Sequence, residues 1–214
     1  MQSTRTGQEP FFIHVAIVEH DAGFVEALTQ AVNGAPGMRL TGVAGTRAEG
    51  LALLEDPPAD VLLVDLRLPD GPGIDVIHTA ARRWAPCNIM VSTNFGDEAH
   101  VMRSIEAGAT GYLLKDSSPT KMVEEICSLA SGGSPISPIV ARQILARVRQ
   151  GGAESGGPDA GSAPLLSASE VEVLDQITKG FQTQEIAERM RLSPFTVKTV
   201  VRRIYGKLRV ASQA

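Results

Sequence analysis

Short runs of aliphatic and β-branched residues alternate with longer amphipathic stretches over about the first 120 residues of the chain. Alternation of this kind is typical of strands and helices that follow one another in a parallel sheet wrapped by helices. The pattern therefore predicts an α/β fold with a doubly wound, five-stranded parallel sheet. The predicted strands are HVAIV at 14–18, RLTGVA at 39–44, VLLVD at 61–65, NIMVS at 88–92 and GYLLK at 111–115.

Two helices of this part carry start signals in the sequence. Thr46 and Glu49 have the spacing of a capping box, and Ser118 stands directly before Pro119. A serine N-cap followed by proline at the first helical position is a favoured way to begin a helix. These signals agree with the helices that the hydrophobic pattern predicts between the strands.

The pattern changes after residue 132. Residues 136–150 predict one more helix, whereas 151–164 (GGAESGGPDAGSAP) have no periodic apolar positions and predict a flexible linker. We therefore expect three parts: a sheet domain at 10–132, a linker helix and flexible linker at 133–164, and an all-α domain at 165–214.

The last 50 residues predict three short helices separated by turns. Their signals are a Ser167/Glu170 capping box, Gly180 at the end of the first helix, Thr183 as cap of the second, and Ser193-Pro194 before the third. The third helix carries apolar residues on one stripe, namely Val197, Val201, Ile204 and Leu208, so Phe195, Lys198, Thr199 and Arg202 are expected to face away. Such a helix suits the DNA major groove, although an ordinary basic surface helix has the same pattern.

Composition narrows the class of protein. The chain is 43% hydrophobic and 21% charged, which is typical of compact domains and not of a disordered chain. It contains no run near the ~18 to 20 apolar residues that a membrane span needs, and its first ten residues lack the layout of a signal peptide. We expect a cytoplasmic protein without a membrane partner, in which Cys87 and Cys127 are reduced thiols.

Charge is distributed unevenly along the chain. The net charge is −4, yet seven Lys or Arg residues and no acidic residue follow Glu188. A local excess of positive charge attracts polyanions, although a charge run alone also occurs on ordinary solvated surfaces. The final segment therefore favours nucleic acid as a partner without establishing it.

Five polar residues fall at the carboxyl ends of the predicted strands, where functional groups of doubly wound sheets converge. They are Glu19, Asp21, Asp65, Thr93 and Lys115. Carboxylates beside a lysine suit a hard dication, most simply Mg²⁺, with Asp65 as the nucleophile toward a phosphoryl group. Single acids at strand ends also occur in solvated loops. The prediction of a cation site therefore depends on several of these residues occurring together.

Four segments of this part resemble the receiver domain of two-component response regulators, which has a flavodoxin-like fold. They are the turn IVEHD, the strand and loop VLLVDLRLPDGPG, the strand end VST and the segment GATGYLLKD. The resemblance spans almost all of residues 12–130. It implies that Asp65 accepts a phosphoryl group from a sensor histidine kinase.

The resemblance also implies roles for the neighbours of Asp65. Lys115 would pair with the phosphate, Thr93 would hydrogen-bond it after moving inward, and Tyr112 would then turn inward and reshape the surface of the fourth helix, fifth strand and fifth helix. Glu19, Asp65 and the backbone carbonyl of Arg67 would bind the metal, with His20 and Asp21 as further candidate ligands.

His20 departs from the family pattern, which has an acid at this position. Imidazole is a poorer ligand for Mg²⁺ than carboxylate. Three alternatives follow: Glu19, Asp21 and Asp65 hold Mg²⁺ without His20, the site favours an ion that accepts nitrogen such as Mn²⁺, or the receiver switches without phosphate.

The segment LSASEVEVLDQITKGFQTQEIAERMRLSPFTVKTVVRRIYGKL resembles the LuxR-type helix-turn-helix, which makes the whole chain similar to response regulators of the NarL/LuxR (FixJ) family. The resemblance implies a scaffold helix at 184–190, a recognition helix at 193–208 and a packing and capping role for Glu170. It implies base contacts by Lys198, Thr199 and Arg202, and phosphate contacts by Thr183, Thr196, Arg203 and Lys207. Val200 replaces a common histidine, which should alter a local contact more than the fold.

The predicted function is regulation of transcription through phosphorylation of Asp65, which switches promoter binding. The alternative is an atypical receiver, with His20 at the metal-ligand position, that controls DNA binding without phosphorylation. The expected partners are a sensor histidine kinase and promoter DNA, with RNA polymerase as a further candidate. Arg67 stands where a related phosphatase would need an acid, so we expect no enzyme. Family members usually continue past the KLRV segment into a further helix that often forms the dimer contact. This chain stops at Ala214, so we expect a homodimer to use the receiver for that contact.

Overall fold

The computed structural model describes residues 12–94, 98–154 and 166–211. Its strands are β1 (Ile13–Val18), β2 (Met38–Ala44), β3 (Val61–Asp65), β4 (Arg67–Leu68), β5 (Gly71–Pro72), β6 (Asn88–Thr93) and β7 (Gly111–Leu114). Five of them form one parallel sheet in the order β2-β1-β3-β6-β7. The predicted fold class is confirmed, and each sheet strand agrees with its predicted bounds to within one residue.

The burial of the strands agrees with their positions in the sheet. All five residues of β3 are buried, as is the carboxyl-terminal half of β1, because helices cover both faces of the central strands. β2 alternates between buried and more exposed residues, as expected for an edge strand.

Five helices wrap the sheet: α1 (Ala22–Gly34), α2 (Arg47–Leu53), α3 (Ile74–Arg83), α4 (Glu98–Ala107) and α5 (Pro119–Ala130). On one face, α1 and α5 bury Leu28 and Ile126 against the sheet. On the other face, the core that includes Ile77 of α3 and Ile105 of α4 continues without a break into the carboxyl-terminal helices. One hydrophobic core therefore joins the two halves of the chain.

The loop after Asp65 contains a short antiparallel ribbon that the sequence did not predict, in which β4 pairs with β5. In the turn of the ribbon, the Asp70 carboxylate accepts hydrogen bonds from the backbone N–H groups of Arg47 and Ala48, 2.8 Å from the latter. Asp70 thereby caps α2 and ties this loop to the helix.

The capping box predicted at the same helix is only half present. The Thr46 hydroxyl accepts from the N–H of Glu49 at 3.1 Å, as expected. The Glu49 carboxylate, however, accepts from the N–H of Gly45 at 2.8 Å and not from that of Thr46. The cap predicted at Ser118 is confirmed, since its side chain accepts from Lys121 N–H.

Four helices follow: α6 (Pro138–Glu154), α7 (Ala168–Thr178), α8 (Thr183–Met190) and α9 (Pro194–Ala211). We call α7 to α9 the helical region. α6 confirms the predicted linker helix but runs four residues further, so the prediction of a flexible linker from residue 151 was wrong for 151–154. Glycine costs only about 1 kcal/mol in a helix, which extension from the preceding turns can offset. Most of the predicted linker, 155–164, lies outside the described residues.

The caps of the helical region match the predictions at two of three helices. Ser167 and Glu170 form a reciprocal capping box, and the Ser193 hydroxyl accepts from Thr196 N–H at 3.0 Å. The cap predicted at Thr183 was wrong by one residue, because Gln182 is the N-cap and its N–H donates to the Glu185 carboxylate at 2.7 Å. Within the described ranges, none of the helices is both long and apolar enough to cross a membrane.

Candidate functional site

The residues predicted at the phosphate site meet at one edge of the sheet. Glu19 follows β1, Asp65 ends β3, Thr93 ends β6 and Lys115 follows β7, and the side chains of Glu19, Asp65 and Lys115 are at most 7% exposed. Parallel strands bring their carboxyl ends to the same edge, which explains how residues up to 96 positions apart come together.

A network of charged groups surrounds Asp65. Lys115 Nζ lies 2.7 Å from the Glu19 carboxylate and 3.0 Å from Asp65 Oδ2. The Ser92 hydroxyl donates to Glu19 Oε2 at 3.2 Å, and the Arg67 backbone N–H donates to Asp65 Oδ1 at 3.1 Å. Two buried carboxylates thus face one lysine, so the site keeps an excess of negative charge that favours a cation.

The structure brings three of the candidate metal ligands together. Glu19, His20 and Asp65 offer ligand atoms that all lie within 4.8 Å of one another. Asp21 is not part of this group, and its Oδ1 accepts from Phe24 N–H at 3.0 Å and caps α1. That hydrogen bond is the main reason why the pKa of Asp21 is lowered from its ordinary value of 3.8.

Tyr112 already points inward. Its side chain is buried, and its hydroxyl donates to the Val101 carbonyl oxygen at 3.0 Å and shares a hydrogen bond with the Ser104 hydroxyl. Burial raises the pKa of Tyr112 well above its ordinary value. Polar partners on α4 therefore hold the ring inward in this structure, and the coupling of its turn to Thr93 stays a prediction.

The helix-turn-helix has the predicted core. Val197, Val201, Ile204 and Leu208 are buried between α9 and the preceding helices, and the fully buried Glu170 caps α7 and accepts from Lys207 Nζ at 2.8 Å. Lys207, a predicted phosphate contact, thus has a partner inside the helical region. On the outside, Phe195 is 74% exposed and Arg203 is exposed.

One edge of the predicted DNA-contacting face of α9 reaches the sheet domain, although Arg202 itself stays exposed. Arg202 donates to the Gly132 carbonyl oxygen at 3.3 Å, and the buried Tyr205 hydroxyl donates to that of Pro135 at 3.4 Å. The same Pro135 oxygen accepts from the backbone N–H of Tyr112 in β7 at 3.0 Å. The segment 132–135 therefore links the edge strand of the sheet to the recognition helix, a role that no local sequence pattern indicated.

Lys198 lies beside this contact. It is half-buried and lines a cleft of about 520 Å³ between α5 and β7 on one side and the helical region on the other. Thr183, the first residue of α8, also lines the cleft. Thr199 and Thr196 bond locally, to the Phe195 carbonyl oxygen at 2.9 Å and to the Ser193 hydroxyl at 2.8 Å. The assignments to bases and phosphates stay predictions.

Glu170 gives the helical region a pH-dependent stability. Burial would raise its pKa, but hydrogen bonds from Lys207 and Ser167 outweigh burial and lower the pKa below the ordinary 4.5. A carboxylate whose folded pKa is lowered stabilises the fold above its unfolded pKa and loses that effect as pH falls through the folded value.

We expect Glu170→Gln to lower the free energy of unfolding by about 1 to 3 kcal/mol at pH 7, because a buried hydrogen-bonded charge is lost. The gap between wild type and variant should shrink below pH 4.5, which urea unfolding between pH 3 and 7 would measure. The exposed neighbour Glu172 provides the control: Glu172→Gln should leave stability nearly unchanged at every pH. A gap that stays constant with pH would contradict the assigned role.

Comparisons with known proteins agree with both halves of the chain. Residues 15–127 match the family described as "Response regulator receiver domain", and residues 164–214 match "Bacterial regulatory proteins, luxR family". The chain is 30% identical over 206 residues to the Mycobacterium tuberculosis protein named "Probable transcriptional regulatory protein NarL", covering 96% of this chain and 92% of that protein. It is also 30% identical over 178 residues to the nitrate/nitrite response regulator protein NarP of Escherichia coli, covering 83% and 80%.

A solved structure shows the same fold. The RcsB response regulator of Salmonella typhimurium superimposes with a TM-score of 0.57 at 23% identity over 92% of each chain. Fold, site and matches together define a DNA-binding regulator of the two-component type, with a kinase and promoter DNA as partners. The chain belongs to the NarL/LuxR family of response regulators, which is a family of transcription regulators.

Proposed function

We propose that phosphorylation of Asp65 releases the recognition helix from the sheet domain and thereby switches promoter binding on. The observation that carries this proposal is the contact of Arg202 and Tyr205 with segment 132–135. A helix that is held beside another domain, with Lys198 half-buried in the cleft between them, cannot seat fully in the major groove. The arrangement described above is then the resting, closed state.

The chemistry at Asp65 follows from its neighbours. A carboxylate oxygen of Asp65 would attack the phosphorus of a phosphohistidine on the sensor kinase, so that a P–O bond forms as the P–N bond breaks and the histidine leaves with the electron pair. Lys115, which now bridges Glu19 and Asp65, would pair with the new phosphoryl oxygens. Thr93, at the end of the neighbouring strand, is the proposed hydroxyl donor to the same group.

A divalent cation fits the donor set, because two buried carboxylates face a single lysine. Glu19, Asp65 and the backbone carbonyl of Arg67 would hold it. When bound, the cation neutralises negative charge on the phosphoryl group. The chain itself positions the acceptor through the Arg67 N–H bond to Asp65 Oδ1.

The path from Asp65 to DNA runs through β7. Adding a phosphoryl group places about two negative charges beside Lys115 and Thr93. Lys115 follows β7 directly, and Tyr112 within β7 bonds to Pro135, which in turn accepts from Tyr205 of the recognition helix. A shift of β7 or of segment 132–135 would weaken the contacts that hold α9.

Two further partners belong to the proposal. We place the active protein on DNA as a homodimer, because paired half-sites multiply affinity beyond that of one small module. RNA polymerase is the second proposed partner. The proposed site of action is the cytoplasm, where promoter DNA and RNA polymerase are found.

We do not propose an enzyme: the exposed Arg67 stands where turnover would need a general acid or base.

The test is to incubate the purified protein with a divalent cation and a small phosphodonor and to weigh it by mass spectrometry. One phosphoryl group is expected on the wild type and none on Asp65→Asn. Asp116→Asn, which changes an exposed acid next to Lys115, should be phosphorylated like the wild type. A wild type that stays unmodified, while its DNA binding is still regulated, would overturn the proposal in favour of a receiver that works without phosphate.

A further inference from the structure

His20 is the side chain at the phosphate site that departs from the family pattern, and the structure places it among the ligand atoms. Its Nδ1 lies 2.7 Å from Asp65 Oδ2 and 3.4 Å from Glu19 Oε1. The two carboxylates are buried, whereas the side chain of His20 is 44% exposed. The imidazole therefore covers the two acids at the solvent side of the site.

The position of Asp21 removes the nearest alternative ligand. Its Oδ1 accepts from Phe24 N–H at 3.0 Å, and this hydrogen bond satisfies the amino terminus of α1. A move toward the metal site would cost that cap. Among the described residues, the side chains grouped for a cation are two carboxylates and one imidazole, with no third carboxylate.

A donor set of this composition selects between ions. Mg²⁺ strongly prefers oxygen ligands and near-ideal octahedral geometry, whereas imidazole suits first-row transition metals. We propose that His20 is a direct nitrogen ligand and that this site prefers a transition-metal dication such as Mn²⁺ over Mg²⁺. The inference rests on the proposed function for the location of the site, but not on phosphorylation taking place.

The preference has a structural consequence at Asp65. His20 Nδ1 is within hydrogen-bond distance of Asp65 Oδ2, the same oxygen that Lys115 contacts. A metal bound through His20 would replace this contact, because the imidazole nitrogen cannot serve both the ion and Asp65.

The first experiment uses the wild-type chain and Mn²⁺ alone as the probe. Electron spin echo envelope modulation of the Mn²⁺-loaded protein should show coupling to a nitrogen nucleus. Selective ¹⁵N labelling of histidine should change the coupling to that of ¹⁵N. Absence of nitrogen coupling in the loaded wild type would overturn the inference, and this readout needs no variant to fold.

The second experiment compares affinities. The ratio of the Mg²⁺ to the Mn²⁺ dissociation constant should fall by about tenfold in His20→Asp, a change equivalent to about 1.4 kcal/mol. His78→Asp makes the same charge change at an exposed position on α3 and should leave the ratio at the wild-type value. Equal ratios in wild type and His20→Asp would overturn the inference.

Mass measurement separates this inference from the proposed function. A phosphoryl group taken up equally well with either ion, without nitrogen coupling, would reject the role of His20 and keep the function. If nitrogen coupling is observed but the chain is phosphorylated with neither ion, the role of His20 stands and the proposed function is rejected.

Discussion

Gly73→Ala is expected to destabilise the protein by about 3 kcal/mol or more, at the upper end of what overpacking costs. An added Cβ would overlap the carbonyl oxygen of Asp65 and lie 2.9 Å from its carbonyl carbon and 3.2 Å from the Cα of Leu66. These are backbone atoms, so no side-chain rotation can relieve the overlap. The loop must shift, and Asp65 shifts with it.

The effect should appear in two measurements. Thermal unfolding should begin several degrees lower in the variant, since 1 kcal/mol corresponds to about 2 to 4 °C in a chain of this size. Phosphorylation of Asp65 should also slow down, because its backbone carbonyl is the atom displaced. Gly34→Ala is the control: nothing lies within 4 Å of an added Cβ there, and stability should stay equal or rise slightly. Wild-type stability and wild-type phosphorylation in Gly73→Ala would contradict the described loop.

Lys198→Ala and Arg202→Ala should each weaken binding to a selected DNA site by about 5- to 150-fold, as expected for the loss of 1 to 3 kcal/mol of base contact. The measurement must use the phosphorylated protein. In the unphosphorylated chain, Arg202→Ala also removes the bond to Gly132 that holds the closed state, so the two effects oppose each other.

Arg209 offers a matched comparison on the same helix. It is exposed in the last turn of α9 and has no predicted base contact. Arg209→Ala should lower affinity through charge alone and reduce the salt dependence slightly, without changing which sequences are preferred. A footprint and affinity unchanged by both Lys198→Ala and Arg202→Ala would refute the assigned recognition face.

The sequence predicts much of the receiver because its information there is local. β3 consists of five consecutive buried residues, of which the first four form one apolar run and the fifth is Asp65. Once the strands are placed, the rule that parallel strands end at one edge brings Glu19, Asp65 and Lys115 together. Their contacts in the structure follow from that rule.

Other features could not be predicted, because they depend on distant partners. The two-residue strands β4 and β5 are too short to produce a pattern. The direction of Tyr112 depends on the Val101 carbonyl and the Ser104 hydroxyl of α4. The contact of the recognition helix with segment 132–135 includes Arg202 and Gly132, which are 70 positions apart and form a hydrogen bond that no periodicity encodes.

The role of His20 depends on a hydrogen bond of its neighbour Asp21. The sequence left three alternatives for the cation site, one of which used Asp21 as a ligand. The structure assigns Asp21 to the cap of α1 and places His20 beside Asp65. A choice among the alternatives thus depends on one hydrogen bond that the sequence could not specify.

Covalent labelling of lysines, read by mass spectrometry before and after phosphorylation, tests most directly whether phosphorylated Asp65 frees the recognition helix. Lys198 is half-buried in the cleft between the domains, whereas the Lys179 side chain is 54% exposed and serves as an internal reference. We predict that labelling of Lys198 rises on phosphorylation while that of Lys179 stays constant, and that Asp65→Asn shows no change at either lysine. Unchanged labelling of Lys198 in a chain whose Asp65 is shown to carry the phosphoryl group would contradict the release of the recognition helix.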